Sequence, residues 1–326
     1  MNITRRCHYL PQFYLSNFVN SDKNFYVYYK EDEEDPKVQT PLNTGIERDL
    51  YNAINEDGII SDSVEKELLA PVEGAVGPII NQLLSSKSIN DSDISDLALF
   101  SAFMATRVPK TIDHSQKLME TIQTFQLKEL AEKPEEIDRF LKYAKENGKD
   151  YDGITVEKMI DEIKHFEDRY RIEANKKVAT GMSLLTTLEV YKLLLEMNWC
   201  LCRAPSNSVF ITSDCPVVCK AEVKKGSFIF GGGFGLPNAE ITFPISPERC
   251  LYIHRRNAQK YRAISESFLK EINKRTAWTA EKFLISNKNN LYIKKLKNWA
   301  RESLNSPKID EESLLHHYKK NFKYST

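Results

Sequence analysis

Four short stretches of the chain carry side chains that do chemistry in other settings, and they lie far apart in sequence. The first is Cys7-His8-Tyr9-Leu10-Pro11-Gln12, an imidazole and an amide set among aromatics near the N-terminus. The second is Glu73, a carboxylate in the apolar run after Pro71 and next to Gly74. Such a carboxylate must be paired or hydrogen-bonded if it is buried. The third is Arg107, the lone charge after an uncharged run from residue 97 to 106. A guanidinium there reaches for a partner or an anion. The fourth is Phe210-Ile211-Thr212-Ser213-Asp214-Cys215-Pro216, an apolar strand that ends in Thr-Ser-Asp before a proline. Strand ends that present Ser and Asp build active sites, and the same residues build Asx and Ser/Thr turns.

Two readings follow, and the sequence leaves both open. If His8, Glu73, Arg107 and Asp214 converge, they suit metal-assisted phosphodiester hydrolysis of a nuclease-like kind. His8, Glu73 and Asp214 are the candidate ligands of a divalent ion, Mg²⁺ or Mn²⁺, and Arg107 stabilises developing negative charge. A set without metal would use His8 as general base and Arg107 as anion clamp. Gln12, Ser213 and Glu47 are the expected supporting residues. The alternative is a non-enzymatic protein-binding or sensing module in which the same residues form a buried structural network.

The other motifs read blandly. GGGFG at Gly231 to Gly235 lacks the GxxxxGK[ST] pattern and is expected to be a hairpin turn. Asp161 and His165 stand four apart on a uniformly charged helix, so a solvated face is expected. No GxSxG elbow, HExxH, EF-hand loop or kinase motif is present. The cysteines Cys200, Cys202, Cys215, Cys219 and Cys250 are spaced as CxC and CxxxC rather than CxxC. Buried reduced thiols are expected, with a zinc site as the alternative.

The elements that must position these residues change character along the chain. Residues 1–60 contain strands: FYVYYK reads as one, after a short helix in HYLPQFYLSNF. Residues 46–57 read as a helical turn that sets Glu47 and Tyr51 four apart. Residues 61–198 form a central helical block, kinked at Pro71 and Pro78. Its helices are expected at 91–108, with Asn90 or Asp91 as N-cap, then 111–131, 134–147, 155–178 and a more buried one at 182–198. Residues 199–256 read as a mostly antiparallel sheet, with Cys200 and Cys202 on one strand face. Residues 257–326 close the fold with helices at 258–285 and 290–303. The class is α+β, expected as a single domain of 326 residues.

Composition is that of an ordinary soluble protein: 41% hydrophobic, 46 basic and 46 acidic residues. That excludes collagen-like, mucin-like and highly charged disordered chains. Charge is uneven within the chain. Residues 31–100 hold 16 acidic and 4 basic residues, net −12, starting with the run EDEED; residues 243–326 hold 18 basic and 8 acidic, net +10. EDEED is expected as a solvated loop tip. Such a bipolar chain pairs its own ends, dimerises, or offers its basic C-terminal region to a nucleic-acid backbone. No secretory signal is visible and the longest apolar stretch is too short for a bilayer, so the expected location is the cytoplasm with no membrane.

Together these positions resemble the family catalogued as domain of unknown function 4238. The resemblance rests on His8-x-x-Pro11-Gln12-x-x-Leu15 with Phe18, Glu47-x-x-x-Tyr51, and Glu65 and Glu73 about Pro71. It continues through Arg107-x-Pro109, Thr212-Ser213-Asp214-x-Pro216, Phe243-Pro244-x-Ser246-Pro247, and Asn273 with Ala280. It spans roughly residues 5 to 286. Cys215 stands where that pattern would have a small polar residue. The resemblance implies one shared architecture and no particular reaction.

Overall fold

The computed structural model describes residues 4–54, 60–86, 88–149, 151, 153–222, 233–256 and 259–302. The described residues divide into two compact units, those within 4–112 with 180–302, and those within Asp113–Ala179. The first unit starts with β1 (Arg6–His8) and a short α1 (Gln12–Ser16). β2 (Phe25–Tyr29) and β3 (Lys37–Gln39) form an antiparallel hairpin whose tip is the EDEED run. β4 (Ile46–Arg48) pairs with β1, setting Cys7 opposite Glu47. The two-residue strands β5 (Ala53–Ile54) and β6 (Ile60–Ser61) pair with each other. A π-helical stretch, Val64–Leu69, runs directly into α2 (Ala70–Ser85), which takes Pro71 in its first turn and Pro78 inside. Then come α3 (Ile94–Thr106) and α4 (Pro109–Ala131). Pro109 disfavours helical geometry at Val108, which separates the two helices and leaves Arg107 at the C-cap of α3.

The second unit holds the rest of α4, α5 (Pro134–Glu146) and α6 (Val156–Lys164). Ala131, Ile137 and Ile163 are its buried core. Thr155 caps α6, its hydroxyl accepting from the Lys158 N–H at 3.3 Å. α7 (Lys176–Leu195) re-enters the first unit.

From there the period becomes two. β7 (Asn198–Arg203), β8 (Thr212–Ser213), β9 (Val218–Lys220), β10 (Glu240–Ser246), β11 (Arg249–His254) and β12 (Tyr261–Ala263) precede α8 (Glu266–Thr279), β13 (Phe283–Ser286) and α9 (Leu291–Glu302). One sheet has the order β12-β7-β11-β10-β9 and is antiparallel except for β12 on β7. The other, β3-β2-β13-β8, joins N-terminal and C-terminal strands in one antiparallel layer. The fold is α+β. Cys200, Cys202 and Cys250 pack with Leu269 and Ile272 of α8, and all six cysteines are free thiols. Further along, α8 gives Ala277 to a second core with Tyr28, Leu284, Ile293 and Leu296. α1 is pinned between the sheets: the Tyr14 hydroxyl donates to the Pro244 carbonyl at 2.8 Å and lies 2.6 Å from Thr212 Oγ1.

Several elements differ from the sequence expectation. Ile46–Arg48 and Ala53–Ile54 form short strands joined by a turn rather than one helical turn, because Gly45 and Asp49 take positive φ (68° and 55°) and turn the chain on either side of β4; residues 55–57 of that expected segment lie outside the described residues. Neither Asn90 nor Asp91 caps α3 with its side chain; Asp91–Asp93 is a 3-10 turn leading in. The expected 155–178 helix breaks after Lys164, where Phe166 turns into the core in a 3-10 turn. Strands bracket α8 in the expected 258–285 helix. α7 is not evenly buried: Ser183, Thr187 and Leu194 are inside, while Met182, Leu185 and Leu188 are 47%, 66% and 54% exposed. By length and composition alone, α7 is also the one helix among the described residues able to cross a membrane. Gly231 and Gly232 of the glycine run, and residues 303–326 of the basic C-terminal region, lie outside the described residues.

The uneven charge is partly joined within the first unit. Lys294 pairs with Asp35, Arg301 with Glu33 at 3.4 Å, and Lys297 donates to the Asp32 carbonyl. α9 thus lies along the acidic hairpin tip and directs three of its four cations there.

Candidate functional site

Arg107 is fully buried, the largest side chain so placed. A guanidinium out of water needs most of its donors satisfied. Its Nη1 donates to Glu73 Oε1 at 2.7 Å, its Nε to the Tyr9 carbonyl at 3.0 Å, and its Nη2 lies 3.3 Å from Met104 Sδ. Its own carbonyl accepts from the Tyr51 hydroxyl at 2.8 Å. The preceding carbonyl, of Thr106, accepts from Ser183 at 2.5 Å, and Thr106 Oγ1 lies 2.6 Å from Thr187 Oγ1. The α3–α4 corner is therefore bolted to β1, α2 and α7 by side chains.

His8 stands at the half-buried edge of this cluster. Its Nε2 lies 3.3 Å from the Leu42 carbonyl. Burial holds the imidazole below its ordinary value, and the Arg6 and Arg107 charges push the same way against Leu42 and Glu73. His8 is thus neutral near pH 7. Beside it, burial and then the neighbouring Glu73 charge raise the Glu65 carboxyl, and burial raises the Cys7 thiol that faces it. One Glu65 oxygen is buried without a hydrogen bond. His8, Glu73 and Arg107 are therefore brought together, with Cys7, Tyr51 and Glu65 around them.

Asp214 belongs to a different set. It follows β8, is 3% exposed, and accepts from the Glu281 and Lys282 N–H groups at 3.0 and 2.6 Å. Burial pushes its carboxyl up to about 6, against those two amides and Lys110. Lys110 donates to the Thr279 carbonyl at 2.5 Å, and the buried Lys30 donates to Ala280 at 2.8 Å. Both ammonium groups sit at the C-terminal end of α8, where the exposed carbonyls favour cations. Tyr9 links the two sets: its carbonyl takes the Arg107 bond, while Asp214 and Cys215 add to burial in raising its hydroxyl.

The remaining motif residues also hold backbone. Asn273 accepts from the Ile211 N–H at 3.1 Å and donates to the Val209 carbonyl at 2.9 Å, fixing the strand that leads to Thr212. Ser246 accepts from the N–H groups of Glu248 and Arg249 at 3.2 and 3.1 Å. Ser213 closes a turn on Cys215, accepting from its N–H at 3.1 Å. Gln12 is exposed at the start of α1, and Glu47 is half-buried on β4. Asp161 and His165 are solvated on α6. Among the described residues no group of three or more His, Cys, Asp or Glu side chains is arranged to hold a metal ion.

Sequence reasoning missed Tyr9, Lys30 and Lys110. None has a local signal, since each meets its partners across the fold. Cys7 and Tyr51 were visible only as neighbours of His8 and Glu47.

The family model for Protein of unknown function (DUF4238) matches residues 6–290, and the chain belongs to that family. No curated protein and no solved structure matches the chain significantly.

Proposed function

We propose that this chain is a non-enzymatic binding or sensing module whose motif residues are a structural polar network. The observation that carries the reading is Arg107, fully buried with its donors directed at Glu73, the Tyr9 carbonyl and Met104. Each of the three guanidinium nitrogens already has a partner inside the protein and the side chain is buried, which supports a structural role over anion binding. Both Asp214 oxygens are likewise engaged by backbone amides. The partner-facing surface we assign is the apolar stripe of α7, Met182, Leu185 and Leu188. A contiguous exposed apolar stripe of this kind marks an interaction surface. The opposite face of α7 is fixed inside the first unit by Ser183 and Thr187, which favours a docked protein over a bilayer. A reducing, cytoplasmic setting suits six free thiols.

The second reading, phosphodiester hydrolysis, is favoured by one observation: a neutral His8 stands at the half-buried edge of the Glu73–Arg107 pair. In that reading His8 is the general base. One experiment separates the two. Arg107→Lys and His8→Gln are compared with wild type for melting temperature and for hydrolysis of a phosphodiester ester with Mg²⁺ or Mn²⁺. The module reading expects a lowered melting temperature for Arg107→Lys and no turnover in any sample. Metal-dependent turnover in the wild type that His8→Gln abolishes at unchanged melting temperature overturns it.

A further inference from the structure

One cleft of the first unit lies apart from Arg107 and shares with the residues described above only Thr279, whose carbonyl accepts from Lys110. It opens where β9, the last strand of its sheet among the described residues, meets α8 and α9. Its volume is about 350 Å³, within the range of roughly 300 to 1,000 Å³ typical of small-molecule sites. Four of its residues, Glu271, Lys274, Arg275 and Trp278, recur at i, i+3, i+4 and i+7 along α8, so one helical stripe forms a wall. Lys220 of β9 and Trp299 of α9 complete it.

The chemistry of that lining is selective. Trp278 is 52% exposed. An indole left half in water presents a flat apolar plane with nothing described to cover it, the arrangement on which aromatic rings stack. Trp299 has the Lys274 ammonium 4.6 Å from its ring centroid, so a cation is already held against the second indole. Three cations line the cleft, Lys220, Lys274 and Arg275, and Lys220 pairs with Glu271 at 3.1 Å. Arg275 is the most telling, because its side chain is only 9% exposed. Its Nε donates to Glu271 at 3.1 Å. Its Nη1 pairs with a Glu240 oxygen at 3.0 Å, so two carboxylates fix the guanidinium in the wall of the cleft.

We propose that this cleft binds a free mononucleotide, its base stacked on Trp278 and its phosphate set among Lys274, Lys220 and Arg275. A flat ring and a compact anion a few ångströms apart match the two halves of the lining. Neither half alone accounts for both the exposed indole and the cations set beside it.

The tryptophans supply the test. Of three in the chain, Trp278 and Trp299 line the cleft and Trp199 is buried in β7. Adenosine 5′-monophosphate is titrated into the full-length protein while tryptophan fluorescence is followed, with adenosine, inorganic phosphate and a short oligodeoxythymidylate as companion probes. The expected result is saturable quenching by the mononucleotide at or below about 1 mM, the upper end of ordinary metabolite affinities. Adenosine and the Lys274→Met variant are expected to bind about tenfold more weakly, the loss of one charge-assisted hydrogen bond. Trp278→Leu, at an exposed position that tolerates the change, is expected to lose saturable quenching while Trp299 still reports. No saturable quenching by the mononucleotide overturns the proposal, as does quenching unchanged in both variants. Tighter binding of the oligonucleotide than of the mononucleotide overturns the free-nucleotide assignment in favour of a single strand. Because the network around Arg107 takes no part, failure here leaves the module reading standing, and the reverse also holds.

Discussion

The Arg107–Glu73 pair is the interaction on which the reading of the site turns, and a double-mutant cycle measures it. The two charges have a 2.7 Å contact, with side-chain exposures of 1% for Arg107 and 27% for Glu73. At a separation of about 4 Å between charge centres and an effective dielectric of about 20, the attraction is roughly 4 kcal/mol. Glu73 keeps about a quarter of its surface in water, which screens the pair and brings the expected coupling to about 2 kcal/mol. Arg107→Met also leaves the Tyr9 carbonyl without its donor, so its total cost should be about 3 kcal/mol. Glu73→Gln keeps an acceptor oxygen but strands a buried guanidinium, and should cost about 2 kcal/mol. The double variant should then cost about 3 kcal/mol, well short of the sum. Urea unfolding followed by tryptophan fluorescence is the assay. Trp199, Trp278 and Trp299 all lie in the first unit, so the signal reports that unit even if the second melts separately. A coupling below about 0.5 kcal/mol would refute the argument. It would mean that Glu73 does not hold Arg107, leaving the guanidinium for an anion as the hydrolase reading requires.

Two further predictions concern pH and one concerns the α7 surface. Asp214 has a folded value raised to about 6, so its contribution to stability is greatest below the unfolded carboxylate value and is lost as pH rises through about 6. The stability of wild type relative to Asp214→Asn should therefore fall between about pH 4 and 6, by at most about 1.4 kcal/mol per pH unit; a flat difference across that window contradicts it. His8 has the opposite sign. Its folded value is lowered by burial, so its contribution is present above the unfolded value near 6.5 and is lost as pH falls through the folded one. Relative to His8→Gln, wild type should lose stability on acidification from pH 7, and equal pH profiles of the two proteins would contradict this. On α7, Leu185→Glu with Leu188→Glu should change stability by less than about 0.5 kcal/mol, because both side chains are exposed. The pair should abolish any concentration-dependent association seen by light scattering, and association that survives it would remove α7 as the contact face.

What the sequence made legible was local. β7, β10 and β11 announce themselves as runs of β-branched, aromatic and cysteine residues, and their burial on both faces explains why they read as continuous apolar runs rather than alternating ones. Arg107 was conspicuous as a lone charge after an uncharged run, and in the structure it pairs with Glu73. The N-terminal readings failed where a four-residue spacing is ambiguous. Glu47 and Tyr51 suit one helix face, but the positive φ of Gly45 and Asp49 makes β4 and a turn instead. The exposure of α7 was hidden for a related reason, since a helix apolar nearly all round gives no sign of which stripe is inside. Lys30 shows the limit most clearly. At the end of an aromatic strand it looks like a solvated terminus, yet it is fully buried, because the fold brings the end of α8 to it.

The polar residues that attract attention in the sequence share one habit in the structure: they bond to backbone from a distant segment. Arg107 takes the Tyr9 carbonyl, Tyr51 the Arg107 carbonyl, Asn273 both ends of the 209–211 stretch, and Asp214 the amides of Glu281 and Lys282. A side chain that bonds to backbone is indifferent to the residue type it reaches, so it fixes a chain crossing whatever side chain the partner carries. It also loses more by removal than an exposed contact, since the group it leaves behind is buried and unmatched. Residues bonded in this way hold together segments that are far apart in the chain. The exposed apolar groups lie elsewhere: the stripe of α7 and the half-exposed Trp278. On the proposed reading, substitutions in the polar network are to be read by stability and substitutions on these surfaces by binding.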